Sequence, residues 1–207
     1  GDTSTTFASS LAAFYHKIPV GHVEAGLRTY NKYSPYPEEM NRKLTGCMAD
    51  LHFAPTQTAK EALLKEGVSA GQIFVTGNTV IDALLQTVDK GYKFKDATLK
   101  QLDFESRKVI LLTAHRRENI GARMEHIFQA VKELVRQHHD TEVVVPVHLN
   151  PVVQKLAERV FRGIERVKML PPLAYEEFVN LMDRCYLVLT DSGGLQEEAP
   201  ALGKPVL

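Results

Sequence analysis

The sequence has few of the features that mark membrane, secreted and nucleic-acid-binding proteins. In its 207 residues no apolar run approaches the roughly 18 residues of a membrane-spanning helix, and no basic-then-apolar signal segment opens it. Its two cysteines, Cys47 and Cys185, lie far apart, which is typical of a reducing compartment. The 25 basic residues balance 25 acidic ones, whereas nucleic-acid-binding faces are strongly basic. We therefore expect a cytoplasmic protein without a membrane or nucleic-acid partner.

Motifs for common cofactors and metals are also absent from the sequence. It contains no Gly-x-Gly-x-x-Gly and no Walker motif, the phosphate-binding signatures of dinucleotide and ATP sites. Its eight histidines are scattered, without the His-x-x-x-His spacing of a zinc-binding helix. The pattern predicts neither a metal site nor bound NAD or ATP, and we expect no cofactor.

Both ends of the sequence look unlike natural termini. The chain opens at Gly1 without an initiator methionine and closes at Leu207, where an apolar strand is beginning. We expect an internal piece of a longer protein, from which parts of an active site are missing. The isolated 207 residues should then have little or no activity of their own.

Short apolar strands alternate with helices of about ten residues along the chain. Strands are predicted at 18–23, 51–54, 73–76, 108–113, 142–147, 167–170 and 186–189, and helices at 38–49, 56–66, 79–88, 124–138, 151–161, 175–182 and 193–202. This alternation is typical of an α/β fold with parallel sheets covered on both faces. A Gly77-Asn78 turn marks the predicted boundary between two domains, residues 1–77 and 78–207.

Ligands of open parallel sheets bind at the carboxyl ends of the strands, so the loops there are the first candidates for a site. Residues 190–194 (Thr-Asp-Ser-Gly-Gly) follow one strand and open a helix, whose free N–H groups favour a phosphate or carboxylate. A helix cap with tightly packed glycines explains that loop equally well. Residues 114–119 follow another strand, and their His115 and Arg116 favour phosphate contacts over a solvated turn.

Three carboxylates in the first domain are candidate acids or bases. Glu24 ends a strand between two glycines, where partial burial would raise its pKa; an ion pair with Arg28 is the alternative. Glu38 begins a helix and is either a stabilising charge or a catalytic group. Asp2 is likewise either a catalytic acid or a helix cap, and Thr3 is an equal candidate for the cap of the helix that follows. His148 follows the end of a further strand, where it is either a loop residue near the sheet edge or a residue that contacts a ligand.

Five segments of the chain occur in an order that resembles the non-hydrolysing UDP-N-acetylglucosamine 2-epimerases. They are 1–3 (Gly-Asp-Thr), 22–28 (His-Val-Glu-Ala-Gly-Leu-Arg), 37–42 (Pro-Glu-Glu-Met-Asn-Arg), 115–119 (His-Arg-Arg-Glu-Asn) and 191–198 (Asp-Ser-Gly-Gly-Leu-Gln-Glu-Glu). The resemblance implies the glycosyltransferase-B architecture, in which two Rossmann-like parallel-sheet domains face a cleft, and a homodimer. Both domains would be incomplete in this chain.

The resemblance implies reversible epimerisation at C2 between UDP-N-acetylglucosamine and UDP-N-acetylmannosamine. In that family UDP is eliminated across C1–C2 to leave 2-acetamidoglucal, and it adds back as C2 is protonated on the opposite face. The product supplies N-acetylmannosamine for cell-envelope polysaccharide. A hydrolysing 2-epimerase, a nucleotide-sugar glycosyltransferase of the same architecture and a purely structural fragment are the alternatives.

The resemblance also implies residue roles. Asp2, Glu24, Glu38 and His115 correspond to the catalytic set, with His115 on the phosphate side. The corresponding substrate-binding residues are Leu173, Phe178, Ser192, Gly193, Gly194 and Glu198, with Phe178 packing on uracil and Glu198 binding ribose.

Two further residues, Arg116 and His148, lie in segments that resemble the family's second, regulatory substrate site. From the residues alone, Phe178 is equally a core position on an amphipathic helix.

Overall fold

The computed structural model describes residues 1–207, apart from the side chain of Arg117, and it divides into two compact units, Gly1–Val80 and Ile81–Leu207. Each unit is built on its own parallel sheet with helices packed against it, which confirms the predicted α/β, Rossmann-like fold class. The first unit ends at Val80, three residues beyond residue 77, the last residue of the predicted first domain. Among the described residues, no helix has the length and apolar character needed to cross a membrane.

The first unit contains three helices and three strands. They are α1 (Ser4–Tyr15), β1 (Gly21–Val23), α2 (Glu38–Met48), β2 (Leu51–Ala54), α3 (Gln57–Lys65) and β3 (Ile73–Val75). The strands pair in parallel in the order β1-β2-β3, with His22 opposite His52 and His52 opposite Ile73. Strand β1 is shorter than predicted, since residues 18–20 lie outside it.

Small side chains let α3 lie close to the first sheet. The buried cluster here consists of Ala25, Ala54, Ala59, Leu63 and Ile73. Gly26 shows how close the approach is, because a Cβ on it would stand 2.2 Å from the carbonyl oxygen of Ala59. Its φ of +89° is also a conformation that glycine adopts without steric cost.

The second unit contains four strands and five helices. They are α4 (Thr79–Thr87), which spans the division between the units, β4 (Lys108–Thr113), α5 (Ala122–Gln137), β5 (Thr141–Pro146), α6 (Pro151–Phe161), β6 (Val167–Leu170), α7 (Tyr175–Arg184), β7 (Leu187–Thr190) and α8 (Leu195–Ala201). The parallel sheet has the order β6-β5-β4-β7. Val206 adds one bridge to Val188, where the sequence predicted a further strand.

Both faces of the second sheet are buried, which explains the continuous apolar run of β4. Ile110 and Leu112 join a cluster formed with α5 and α6. Val109 and Leu111, which alternate with them, join a second cluster formed with α4, α7 and α8. Each residue of the run therefore contributes to one of the two cores.

The strand order brings the ends of β4 and β7 together. Thr113 and Thr190 are register partners, and their hydroxyl oxygens lie 2.6 Å apart. Helix α8 begins two residues later than predicted, so residues 191–194 form a loop between β7 and α8. That loop and the loop after β4 start side by side.

We predict that Gly26→Ala lowers the free energy of unfolding of the first unit by about 2–4 kcal/mol, because the new methyl group overlaps a backbone carbonyl at a strained φ. Gly67→Ala is the matched control, since Gly67 has nearly the same φ, +88°, but no atom within 4 Å of its Cβ position. The control should cost about 1 kcal/mol. Urea denaturation of both variants measures the difference, and equal costs would contradict the close-packing argument.

Candidate functional site

The loops that follow β4 and β7 are joined by the carboxylate of Asp191. It accepts hydrogen bonds from the backbone N–H of His115 at 3.1 Å and of Arg116 at 2.9 Å. It also accepts one from the side-chain amide of Asn119 at 3.0 Å. In return, Nε of Arg116 donates to the backbone carbonyl of Asp191 at 2.8 Å. Several charge-assisted hydrogen bonds to one carboxylate fix the first loop against the second.

Sequence reasoning assigned no separate role to Asp191. An aspartate directly after a strand is a recognisable signal, because its carboxylate can accept the N–H groups of a neighbouring loop. Which loop is the neighbour depends on the pairing of β4 with β7, and those strands are far apart in the sequence.

His115 lies at the exposed side of this loop pair. Its side chain is 42% exposed, and its Nδ1 lies 3.4 Å from Oδ1 of Asp191. The imidazole of His148 stacks on it, with ring centroids 5.7 Å apart and planes inclined by 12°. Nδ1 of His148 accepts the N–H of Asn150 at 3.1 Å, which orients the second ring. The structure thus brings together His115, Arg116 and His148, all three of which the sequence singled out.

Gly193 and Gly194, in the loop between β7 and α8, leave room for the side chains of Arg116 and Glu198. A Cβ on Gly193 would lie 3.2 Å from Nη2 of Arg116, so that guanidinium lies close over the loop. A Cβ on Gly194 would lie 3.8 Å from Oε1 of Glu198. Ser192 donates its backbone N–H to the hydroxyl of Thr190 at 3.0 Å. The predicted loop residues therefore form one surface with Arg116.

Glu198 is buried beside Gly194, in the first turn of α8. Burial raises the pKa of Glu198, and the charge of Glu197 raises it further. Burial, together with the charge of Glu198, raises the pKa of Tyr175. A hydrogen-bond donor such as a hydroxyl group would stabilise the ionised form of a carboxylate in such surroundings.

Leu173 and Phe178 lie before and within α7. Both are partly buried and pack against the hydrophobic cluster that α7 shares with the sheet. This packing accounts for their apolar character, as the alternative interpretation of Phe178 expected. Their contact with a base stays a prediction.

In the first unit, the carboxylate of Asp2 is held by Arg42. Nε and Nη2 of Arg42 each lie 2.8 Å from Oδ2 of Asp2. The side-chain amide of Asn41 donates to the backbone carbonyl of Asp2 at 2.9 Å. The cap of α1 is Thr3, whose hydroxyl accepts the N–H of Thr6, so of the two candidate caps, Asp2 and Thr3, the structure selects Thr3. Sequence reasoning assigned no role to Arg42, although it lies four residues after Glu38 on one helix face.

Glu24 has a backbone conformation that is rare for a residue with a side chain. Its φ is +65°, in the left-handed region, at the end of β1. Such strain often accompanies functional residues. Its Oε2 lies 3.6 Å from where a Cβ on Gly1 would stand, so Glu24 borders the segment that carries Asp2. Arg28 donates two hydrogen bonds, of 2.9 Å and 2.7 Å, to Glu66, and its guanidinium lowers the pKa of that carboxyl group.

The two acids at the start of α2, Glu38 and Glu39, differ in how far they are exposed to solvent. Glu39 is buried, with 1% of its surface exposed, and accepts the N–H groups of Thr29 at 3.1 Å and Tyr30 at 3.0 Å. It therefore shapes the preceding loop. Glu38 is partly exposed. Of this pair, Glu38 is the one whose side chain solvent or a ligand can reach.

No group of three or more His, Cys, Asp or Glu residues within the described part of the chain is arranged to hold a metal ion.

Comparison with known proteins gives consistent matches along the chain. The family model described as UDP-N-acetylglucosamine 2-epimerase matches residues 1–207. The UDP-N-acetylglucosamine 2-epimerase of Bacillus subtilis (strain 168) is 59% identical over 207 residues, which cover 100% of this chain and 53% of the relative. This chain spans about half the length of the curated relatives that it matches.

Two solved structures resemble the whole chain. One is S. aureus MnaA determined with UDP, with 51% identity, a TM-score of 0.94 and coverage of 100% of this chain and 55% of that one. The other is UDP-GlcNAc 2-epimerase from Neisseria meningitidis bound to UDP-GlcNAc, with 49% identity, a TM-score of 0.90 and coverage of 100% and 57%.

We predict that Asp191→Asn weakens the attachment of the loop after β4. An amide has one acceptor oxygen and places its NH2 group against N–H donors, so the local opening free energy should fall by about 2–3 kcal/mol. Amide hydrogen exchange at His115 and Arg116 measures this loss. Glu118→Gln, which removes an exposed 3.5 Å ion pair with Arg116, is the control and should change protection by less than about 1 kcal/mol. Unchanged protection in Asp191→Asn would disprove the anchoring role.

Proposed function

The chain belongs to the UDP-N-acetylglucosamine 2-epimerase family, and on that premise we propose that its protein interconverts UDP-N-acetylglucosamine and UDP-N-acetylmannosamine without releasing free sugar. The observation that carries the proposal is that three carboxylate side chains lie in the first unit, near one another or on connected elements. Asp2 lies against Arg42, Glu24 borders the same segment, and Glu38 opens the helix that supplies Arg42. Several acid/base groups in one region are what a change of configuration at carbon requires.

The chemistry follows from the weak acidity of the hydrogen on C2 of the sugar. A base removes that proton while the bond from C1 to the diphosphate oxygen breaks, and the electron pair of the C–H bond forms the C1–C2 double bond. UDP leaves with the negative charge, and the sugar becomes 2-acetamidoglucal. In the return step the diphosphate oxygen bonds to C1 while an acid protonates C2 on the opposite face, so the atoms and charges balance.

We assign the acid/base work to Asp2, Glu24 and Glu38 together. The contact with Arg42 supports a defined position for Asp2, since two nitrogens of one guanidinium hold its carboxylate. The strained backbone of Glu24 supports a role beyond packing. The burial of Glu39 supports Glu38 as the reactive member of the adjacent pair.

We assign nucleotide binding to the second unit. His115 and the loop 192–194 would stabilise the departing diphosphate, which is where negative charge develops. Glu198 would accept a ribose hydroxyl, and Leu173 and Phe178 would contact uracil. The hydrogen bonds of Asp191, which fix the loop that carries His115, support this assignment. The names of the similar structures with UDP and with UDP-GlcNAc support the same ligand class.

A second substrate site with a regulatory role is proposed at Arg116 and His148. The ring stack between His148 and His115 supports a link between that site and the phosphate side of the active site. We further propose a cytoplasmic homodimer that supplies N-acetylmannosamine for cell-envelope polysaccharide, as expected from the family resemblance.

The decisive assay is proton NMR of UDP-N-acetylglucosamine in D2O, with a polypeptide of full family length that carries this sequence. We expect deuterium at C2 and a mannosamine-type anomeric signal still attached to UDP. Free N-acetylmannosamine and UDP would instead identify a hydrolysing enzyme. An unchanged C2 position would overturn the epimerase proposal and favour a glycosyltransferase.

We predict that Glu38→Gln lowers kcat by about 10²–10⁴-fold and leaves the unfolding transition near that of the wild type, because it removes a proton-transfer group that is partly exposed. Glu39→Gln is the matched neighbour. It should lower the free energy of unfolding by about 1–3 kcal/mol, since it disturbs a buried carboxylate with two N–H donors. Steady-state kinetics and urea denaturation of both variants separate the two roles, and the reverse pattern would assign the chemistry to Glu39.

A further inference from the structure

Two buried histidines lie side by side on neighbouring strands of the first sheet, and the proposed chemistry uses neither. His22 on β1 and His52 on β2 are register partners with 2% and 1% of their surface exposed. Burial lowers the pKa of His22 to about 4, and it lowers the pKa of His52 as well. The charge of Arg28 acts in the same direction on both rings. Both imidazoles are therefore uncharged at neutral pH.

The hydrogen bond of His22 identifies which nitrogen carries its proton. Nε2 of His22 lies 2.8 Å from the backbone carbonyl oxygen of Gly1, which can only accept. The proton of the uncharged ring must then be on Nε2. Nδ1 of His22 is buried and has no hydrogen-bond partner among the described residues, which agrees with that tautomer. The ring therefore donates one hydrogen bond, from Nε2–H to the carbonyl oxygen of Gly1.

This bond is one of several that attach the segment carrying Asp2, since the amino nitrogen of Gly1 also donates to the carbonyl of Val23 on β1 at 2.5 Å. His22 binds the carbonyl of Gly1, Asn41 binds the carbonyl of Asp2 at 2.9 Å, and Arg42 binds its carboxylate at 2.8 Å. The last two come from α2, whereas His22 comes from β1. Glu24 follows β1 directly, two residues after His22. Besides that backbone contact, the side chain of His22 therefore ties the Asp2 segment to the strand that Glu24 follows.

We propose that His22 is a positioning residue for the epimerase reaction, whose Nε2–H holds the Gly1 carbonyl and thereby sets the placement of the Asp2 carboxylate relative to Glu24. The inference rests on the proposed function, since it gives His22 its effect through two of the proposed acid/base groups. Misplacement of a reacting group by about 1 Å lowers a rate by roughly 100-fold. A lost Gly1 bond should therefore change kcat far more than substrate affinity.

The chain offers a matched control for this test. His52 is equally buried and opposite His22 in register, but its backbone partner is Ala49, away from the Asp2 segment. His22→Met and His52→Met both replace a buried ring by an apolar side chain without a donor. His22→Gln restores an N–H donor near the position of Nε2.

The experiment measures kcat and KM for UDP-N-acetylglucosamine, with urea denaturation, in the full-length enzyme. We expect His22→Met to lower kcat by roughly 10–100-fold with KM within about twofold, and His22→Gln to recover most of the loss. His52→Met should be destabilised to a similar extent but keep kcat within about threefold. Equal losses of kcat at the two positions would overturn the proposal and reduce His22 to a core residue, and so would an unaffected His22→Met.

A second measurement applies even if His22→Met does not fold. Nitrogen-15 NMR of the wild-type imidazoles reports which ring nitrogen is protonated. We expect His22 with a proton on Nε2 and none on Nδ1 at pH 7, and the same state at pH 5.5. A proton on Nδ1 alone would remove the donor and overturn the proposal without any reference to catalysis. Failure of the wild type to epimerise would instead reject the proposed function while leaving the tautomer result valid.

Discussion

Parallel pairing of strands is the constraint on which the candidate site depends. It places the carboxyl ends of β4 and β7 next to each other, although Thr113 and Thr190 are 77 residues apart in the chain. The apolar residues of β4 alternate between two buried clusters, so the strand cannot shift by one residue without exchanging them. That register is what lets Asp191 meet the N–H groups of His115 and Arg116.

In both units, a carboxylate that accepts backbone N–H groups holds a loop in place. Asp191 fixes one loop in the second unit, and Glu39 fixes residues 29 and 30 in the first by the same kind of backbone contact. A carboxylate that accepts several N–H groups is an expensive group to leave unpaired inside a protein, so each of these contacts limits the loop to few conformations. His115 and Arg116, which are proposed to meet substrate, lie on the loop that Asp191 fixes in this way.

The elements were largely predictable from the sequence, because each carries its own local signal. Residues 51–54, 108–113, 151–161 and 167–170 were predicted with the bounds that the structure has, since apolar runs, a first-turn proline and neighbouring polar residues mark them. Strand β1 was predicted too long, because apolar residues before it continue the pattern without pairing. The α/β class and the family resemblance needed no more than the order of such segments and motifs.

The sequence by itself determined the elements, their alternation and the set of polar loops at strand ends, because these depend on residues close together in the chain. Only the tertiary structure decided which side chains cap helices, become buried or hold other segments by hydrogen bonds. It chose Thr3 over Asp2 as the helix cap, buried Glu39 but not Glu38, and gave Asp191 and His22 their partners. Such choices depend on which backbone N–H or carbonyl group lies opposite a side chain across a sheet or helix. Strand order and register set that arrangement, and no local pattern contains it.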